Sequence, residues 1–431
     1  MSIKINIIEE DSNYTATCVS LPELRDVTWL DNLKLATVFG YGCLVGKDSP
    51  QGKYLFFPSE TVLSQEFLRE NNLFRSNLAN KDTTKTWFFQ LDGRVRAVKF
   101  KWVVSSGFLI PISSLNYLGY GDEYSELRIG DNFHSIDGKE VCRKYRRPVA
   151  PVRLNRNERV QKKWTRHDRV IPTQFRFHLS TPQFLKFLWD FTEWDRIVVT
   201  EKLHGTSAVF ANVLTKRKLW LLDRIAAFAW CNIVLNEYFP LYSSRTVIKN
   251  GTINEWVDGG YYWEDLWGKY AKILEPKIEK GITLYGEIVG YTSSGAYIQQ
   301  GYSYGCKPWE SKFYCYRITY TTPEGNVIEF TDSQIRQYCG AREIEVVPLL
   351  LDILELHTDT RVLSLDYITK FWTNEIEMMC QLNWWTVPRE WVVIRRDGQE
   401  TFSAYKLKSQ LFLGYETKQI DEGKEDTEEA N

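Results

Sequence analysis

A lysine does covalent chemistry only where its surroundings offset its charge, and the segment around Lys202 has the makings of such a setting. In Val198-Val199-Thr200-Glu201-Lys202-Leu203-His204-Gly205-Thr206-Ser207 an apolar run meets a glycine-containing turn, which puts Lys202 at the end of a strand. Alone, a Lys-x-x-Gly sequence is common, and its plainest meaning is a surface lysine before a turn. Downstream, however, charged residues recur inside β-runs, where they are costly to bury unless they serve or pair with something. Glu287 lies within the apolar run 284–290, and Glu390 opens the run 391–394. Tyr316 and Arg317 lie in the aromatic stretch 313–318. Lys406 and Lys408 are spaced by two, so both point to one face of a strand. Such violations, gathered in one stretch of chain, indicate a site.

Taken in order, these segments resemble the motifs of the covalent nucleotidyltransferase superfamily of ligases and RNA capping enzymes, over residues 173–412. Within it, Glu201-Lys202-Leu203-His204-Gly205-Thr206 is similar to the RNA ligase motif, which often has His where DNA ligases and capping enzymes have Asp. Ser243-Ser244-Arg245-Thr246 falls where these enzymes carry a Ser-Arg element. A β-rich module ahead of the transferase part, and few residues after Lys408, resemble the fifth RNA ligase family, the Deinococcus and Naegleria type.

The resemblance implies an ATP-dependent RNA ligase. Lys202 attacks the α-phosphorus of ATP and expels pyrophosphate, AMP passes to an RNA 5′-phosphate, and a 3′-OH displaces it to seal the strand. A free lysine amine has a pKa of about 10.4, so Lys202 must lose a proton first; Lys406, Lys408 and a bound cation would favour the neutral form. The chain has no phosphate-cradling Gly-rich loop, since Val45-Gly46-Lys47-Asp48 lacks the spacing and the hydroxyl. Phosphates are thus expected to meet Lys406, Lys408 and Arg245. Glu390 and Glu287 are expected to hold Mg²⁺ or Mn²⁺, and Tyr316 to stack on adenine. Glu201, Gly205 and, just upstream, Arg176 with His178 are expected around the nucleotide, and His204 at the metal or the leaving pyrophosphate. Arg317 stands where the family commonly has Asp, which leaves the pairing there open. The rival readings are a DNA ligase, a GTP-dependent capping guanylyltransferase, or a non-catalytic RNA-binding protein.

The elements that must position these residues form an α+β chain. Short apolar or alternating runs at 15–19, 37–40, 94–103 and 107–112 predict an N-terminal OB-like β-barrel over 1–145. Lys99-Phe100-Lys101-Trp102 has the basic and aromatic composition such barrels turn to nucleic acid. A basic linker, 146–172, belongs to a stretch with eleven Lys or Arg between 143 and 169; it either grips phosphates or merely connects. Residues 173–415 are the adenylyltransferase domain of antiparallel sheets with flanking helices, with a helix expected over 182–191, a strand over 196–200 and a buried helix over 225–235. From Glu416 to 431, seven acidic residues and little to bury predict a disordered tail.

Overall charge is uninformative, with 54 Lys or Arg against 55 Asp or Glu among 431 residues. Eight scattered cysteines without a Cys-x-x-Cys pair argue against structural zinc and for reduced thiols. No leader-like segment or long apolar span is evident, and the Asn13 and Asn250 triplets then carry no sugar. A monomer in the cytoplasm, working on RNA, nicked duplexes above all, is expected.

Overall fold

The computed structural model describes residues 3–28, 30–100, 103–119, 126–146, 169–192, 195–217, 235–250, 262, 264–353, 380–383 and 386–422. In the N-terminal module, β1 (Ala16–Ser20) and β2 (Lys53–Pro58) pair at the centre of an antiparallel sheet, flanked by β3 (Gly107–Pro111) and β4 (Asn132–Phe133). One face packs Ala16, Cys18, Leu55 and Phe57 against Phe67, Phe89 and Phe108. The other packs Val19, Tyr54 and Phe56 against Ala36, Val38 and Val45. Covered on both sides, β2 reads as a continuous apolar run rather than an alternating one. Next to it β5 (Cys142–Lys144) pairs with Thr61–Leu63. Among the described residues no sheet closes into a barrel: β4 and β5 are two and three residues long, too short to carry the continuous staggered ladder that closure needs.

The second part holds β6 (Arg196–Lys202), β7 (Thr206–Lys216), β8 (Asn236–Ser243), β9 (Ile282–Gly290), β10 (Ser311–Thr321), β11 (Val327–Glu329), β12 (Leu349–Ile353), β13 (Trp391–Asp397) and β14 (Ala404–Lys408), with helices α1 (Leu266–Leu274), α2 (Asp332–Gly340) and α3 (Gln410–Asp421). The strands form two antiparallel sheets, ordered β12-β6-β13-β14 and β8-β7-β9-β10-β11. Residues 203–205 carry the chain from the first sheet into the second. On the second sheet, α1 buries Leu266, Trp267, Tyr270 and Leu274, an i, i+4, i+8 stripe. Asp265 caps this helix by accepting from the Gly268 N–H at 2.8 Å. A capping box between Thr331 and Gln334 starts α2, which adds Ile335, Tyr338 and Cys339 to the same core. Covered on both faces, β9 is buried along its whole length.

The helix expected over 182–191 is instead two short 3₁₀ turns, Phe184–Lys186 and Leu188–Asp190. The Lys406 N–H donates to the Pro182 carbonyl at 2.8 Å, so the start of this segment is extended against β14 and unavailable as a helix N-terminus. The tail expected from Glu416 is ordered through Asp421 as the second half of α3. Phe412 and Leu413 are buried, at about 1.5–3 kcal/mol each. Leu413 packs with Val19, Leu21 and Phe56 of the N-terminal module. Thr417 donates to Glu60 at 2.8 Å, and Asp421 pairs with Arg94 at 2.7 Å. The helix expected over 225–235, except Leu235, most of the basic segment (147–168), Lys101, Trp102 and residues 423–431 lie outside the described residues. The described cysteines are buried free thiols. Among the described residues no helix is long and apolar enough to cross a membrane.

Candidate active site

Strand alternation decides which side chains of the first sheet meet. In cross-strand register, Lys202 is opposite Trp391, which is opposite Lys408; one step along, Thr200, Val393 and Lys406 form the next row. These rows share the face that looks into a deep cleft, lined also by Val198 and Arg395. The other face buries Ile197, Val199, Val392, Ile394, Tyr405 and Leu407. A one-residue slip would exchange lysines for core.

Lys202 Nζ lies 2.9 and 3.0 Å from the two carboxylate oxygens of Glu390, itself buried. His204 Nδ1 stands 3.5 Å from the same carboxylate, its ring edge-on to Tyr302 and Phe412 and its backbone N–H donating to the Tyr304 hydroxyl at 2.7 Å. Gly205 has no room for a side chain, since a Cβ there would meet the Ile288 carbonyl oxygen at 2.3 Å. That close approach lets the Gly205 N–H donate to Glu287 Oε1 at 3.1 Å, which fixes Glu287 on the cleft wall.

Lys406 and Lys408 each hold their ammonium 4.3 Å from the centre of the Trp391 ring, an attractive cation–π arrangement. Their titration diverges. Burial, then the charges of Lys408, Lys202, Arg245 and Lys144, push Lys406 well below the usual lysine range. For Lys408 burial is again the largest influence and opposes the charge, but the Glu416 carboxylate at 2.9 Å, together with Tyr14 and Tyr41, holds Lys408 above that range.

The opposite end of the cleft is aromatic. His178 packs edge-on to Tyr316 at 4.9 Å and to Phe402 at 5.3 Å. Arg317 forms a bidentate pair with Glu329 on β11, where Nε donates at 3.0 Å and Nη2 closes the second bond, and it lies 4.3 Å over the Phe402 ring. The pairing left open at position 317 is thus completed by a carboxylate from the neighbouring strand.

Of the expected residues, the cleft brings together Lys202, Glu201, Arg245, Glu287, Tyr316, Glu390 and Lys406, with His204 and Lys408 in contact behind them. Glu201 is already engaged: its buried carboxylate accepts from Cys380 Sγ at 3.1 Å and lies 3.6 Å from Arg389 Nε. Burial raises its pKa despite that arginine. Arg176 is not brought in; it is exposed and donates to the Gly325 carbonyl at 3.2 Å, while His178, two residues on, lines the cleft. Sequence reasoning missed Asn13, Tyr14 and Lys144 of the N-terminal module, and Phe402 and Glu416. Only Lys144 had a signal, its place in the basic stretch. Glu390 and Glu287 offer hard oxygen donors, and among the described residues no cluster of three or more His, Cys, Asp or Glu could cage a metal. That donor set fits a cation such as Mg²⁺ that keeps most of its water.

The RNA ligase family model matches residues 195–409, from the residue before β6 to the one after β14, and this part of the chain is an RNA ligase domain. Structures of the Naegleria gruberi RNA ligase share the fold over nearly the whole chain. The form with pyrophosphate has a TM-score of 0.56 at 16% identity, covering 94% of this chain and 98% of that one. A lysine-to-alanine variant with ATP and manganese gives 0.55 at 15%, covering 94% and 99%, and a lysine-to-methionine variant with AMP and manganese gives 0.54 at 15%, covering 93% and 98%. No curated protein sequence matches the chain.

Proposed function

We propose that the chain joins RNA 3′-OH and 5′-phosphate ends at the expense of ATP, with Lys202 as the residue that carries AMP. The observation that supports this most is the row Lys202–Trp391–Lys408 with Glu390 at hydrogen-bonding distance of Lys202 Nζ. In the first step a bond forms between Nζ and the α-phosphorus, the α–β phosphoanhydride bond breaks, and pyrophosphate leaves with the electron pair. Glu390, whose carboxylate oxygens lie 2.9 and 3.0 Å from Nζ, takes the Nζ proton. Lys406, Lys408 and Arg245 offset the charge that develops on the leaving phosphates, and Tyr316, beside His178, offers a face for adenine. Glu390 and Glu287 would hold the magnesium or manganese ion, which when bound supplies further positive charge against the phosphates. AMP then passes from Nζ to the RNA 5′-phosphate, and the 3′-OH attacks that phosphorus to release AMP.

The finer reading is that nicks in duplexes are the substrate and that the chain works as a monomer in the cytoplasm. The N-terminal module, 1–145, serves as an OB-like RNA-holding part, and the segment 146–172 joins it to the adenylyltransferase domain, 173–415. Exposed Phe100 beside Lys99 supports an RNA-facing role for the module.

Incubation with α-labelled ATP and magnesium should label the protein, and added pyrophosphate should strip the label. Label from GTP but not ATP would point to a capping enzyme, and sealing confined to all-DNA nicks would point to a DNA ligase. No label from any nucleotide would remove the enzyme reading.

A further inference from the structure

Of the three cations expected to hold phosphates, Lys406 and Arg245 line the cleft but Lys408 does not. Lys408 has only 6% of its side chain exposed, and Glu416, exposed 16%, stands in front of it as the residue that lines the cleft. Glu416 comes from α3, whose next residue, Thr417, donates to Glu60 of the N-terminal module, and whose last residue, Asp421, pairs with Arg94 and Arg96 of that module. The carboxylate is therefore held in the cleft by a helix anchored to the N-terminal module, not by a free tail.

We infer that Glu416 is an internal anion that occupies the pyrophosphate end of the nucleotide site: it takes the Lys408 contact that the β- and γ-phosphates need and gives way when they arrive. The inference rests on the reading of this cleft as an ATP site and adds to it a residue that sets how tightly the leaving group is held. A carboxylate and a phosphate are both anionic oxygen acceptors, and Lys408 has one ammonium to offer. While Glu416 holds it, triphosphate and pyrophosphate bind against a resident competitor and against like-charge repulsion. AMP, which lacks the β- and γ-phosphates, does not compete for Lys408 and brings less charge against Glu416. The chemical gain is directional: a weakly held pyrophosphate leaves before it can attack lysyl-AMP and regenerate ATP.

The test is Glu416→Gln in the full chain, which keeps a hydrogen-bond acceptor for Lys408 and removes the charge. Binding of pyrophosphate, ATP and AMP is measured by calorimetry, together with the pyrophosphate concentration that strips half the AMP label. Pyrophosphate and ATP should bind about tenfold tighter, a modest effect for one charge at this distance, half-stripping should need correspondingly less pyrophosphate, and AMP binding should stay within about twofold. Unchanged or weaker pyrophosphate binding would overturn the inference, as would equal tightening of all three ligands, which would signal a general rearrangement. If Glu416→Gln does not fold, Glu416→Asp, which draws the carboxylate back, should shift pyrophosphate and ATP the same way by less, and a null result there overturns it equally. Wild-type protein that takes no label from ATP sinks the ligase reading; wild-type label with no response in these variants sinks only the role of Glu416.

Discussion

The two ends of the cleft are built on opposite principles. At the aromatic end, charge is neutralised within the protein: Arg317 is matched by Glu329, and Arg395 by Asp397 at 3.3 Å, leaving His178, Tyr316 and Phe402 to line the wall. At the cationic end, Lys202 and Lys408 have partners in Glu390 and Glu416, but these two lysines, Arg245 and Lys144 crowd Lys406, whose charge burial and its neighbours penalise. The first arrangement suits a flat, neutral ligand part, whose binding gains from apolar and ring contact. The second stores unfavourable like-charge repulsion that an anionic ligand relieves, so its energy appears as binding and transition-state stabilisation. Half of this site is stable by itself, and the other half is completed by the substrate.

The sharpest break of that comparison is at Lys202. Lys202→Ala should lose all ATP-derived label, read by autoradiography of folded protein, yet still seal RNA supplied with its 5′-end already adenylylated, at a reduced rate. Glu390→Ala should fail in both assays. If Lys202→Ala seals with ATP, or another lysine carries the label, the assignment of the cationic end is wrong.

Lys406 gives the next largest effect. Lys406→Ala should lower the adenylylation rate by about 10²–10³, the usual loss for one preorganised charge at a reacting centre. Because the Lys406 pKa is depressed, its charge is present at low pH and lost as pH rises, well before 10.5 is reached. KM for ATP should therefore climb on the alkaline side, and Lys406→Arg, whose guanidinium stays charged, should move that climb to higher pH. An alkaline limb identical in wild type and Lys406→Arg would show that another group titrates.

The smallest effect belongs to the aromatic end. Tyr316→Ala should raise KM for ATP by about fivefold to a hundredfold, as loss of one base-stacking ring of roughly 1–3 kcal/mol implies, with little change in the rate at saturation. Tyr316→Phe should be near neutral. A large fall in rate with KM unchanged would instead assign Tyr316 to the chemistry.

Much of this was legible because strands have a period of two. Lys406 and Lys408 had to share a face, and the apolar residues between and around them had to form the other, so the split between cleft and core across 197–202, 391–397 and 404–408 follows from the order of residues alone. Gly205 was likewise legible as a turn, but the approach of the Ile288 carbonyl that leaves it no room for a side chain was not. The 3₁₀ turns at 184–190 were not, because the competing bond from the Lys406 N–H lies more than two hundred residues away. Nor was the order of α3: the composition from Glu416 onward is that of a solvated tail, and only the partners Glu60, Arg94 and Lys408 turn its acidic residues into anchors.

The sequence by itself determined the strand faces, which depend on local spacing, and marked a site by the cost of placing charge in apolar strands; its resemblance to the covalent nucleotidyltransferases supplied the nucleophile candidate and the class of chemistry. Only the tertiary structure decided which charges are spent and which are available. Glu201 goes to Arg389 and Cys380, Arg317 goes to Glu329, Arg176 is turned away, and Lys408 is covered by Glu416. Electrostatic pairing falls off over a few ångströms of space and is indifferent to distance along the chain, so partners 12 to 188 residues apart, such as Arg317 with Glu329 and Lys202 with Glu390, are fixed by folding alone.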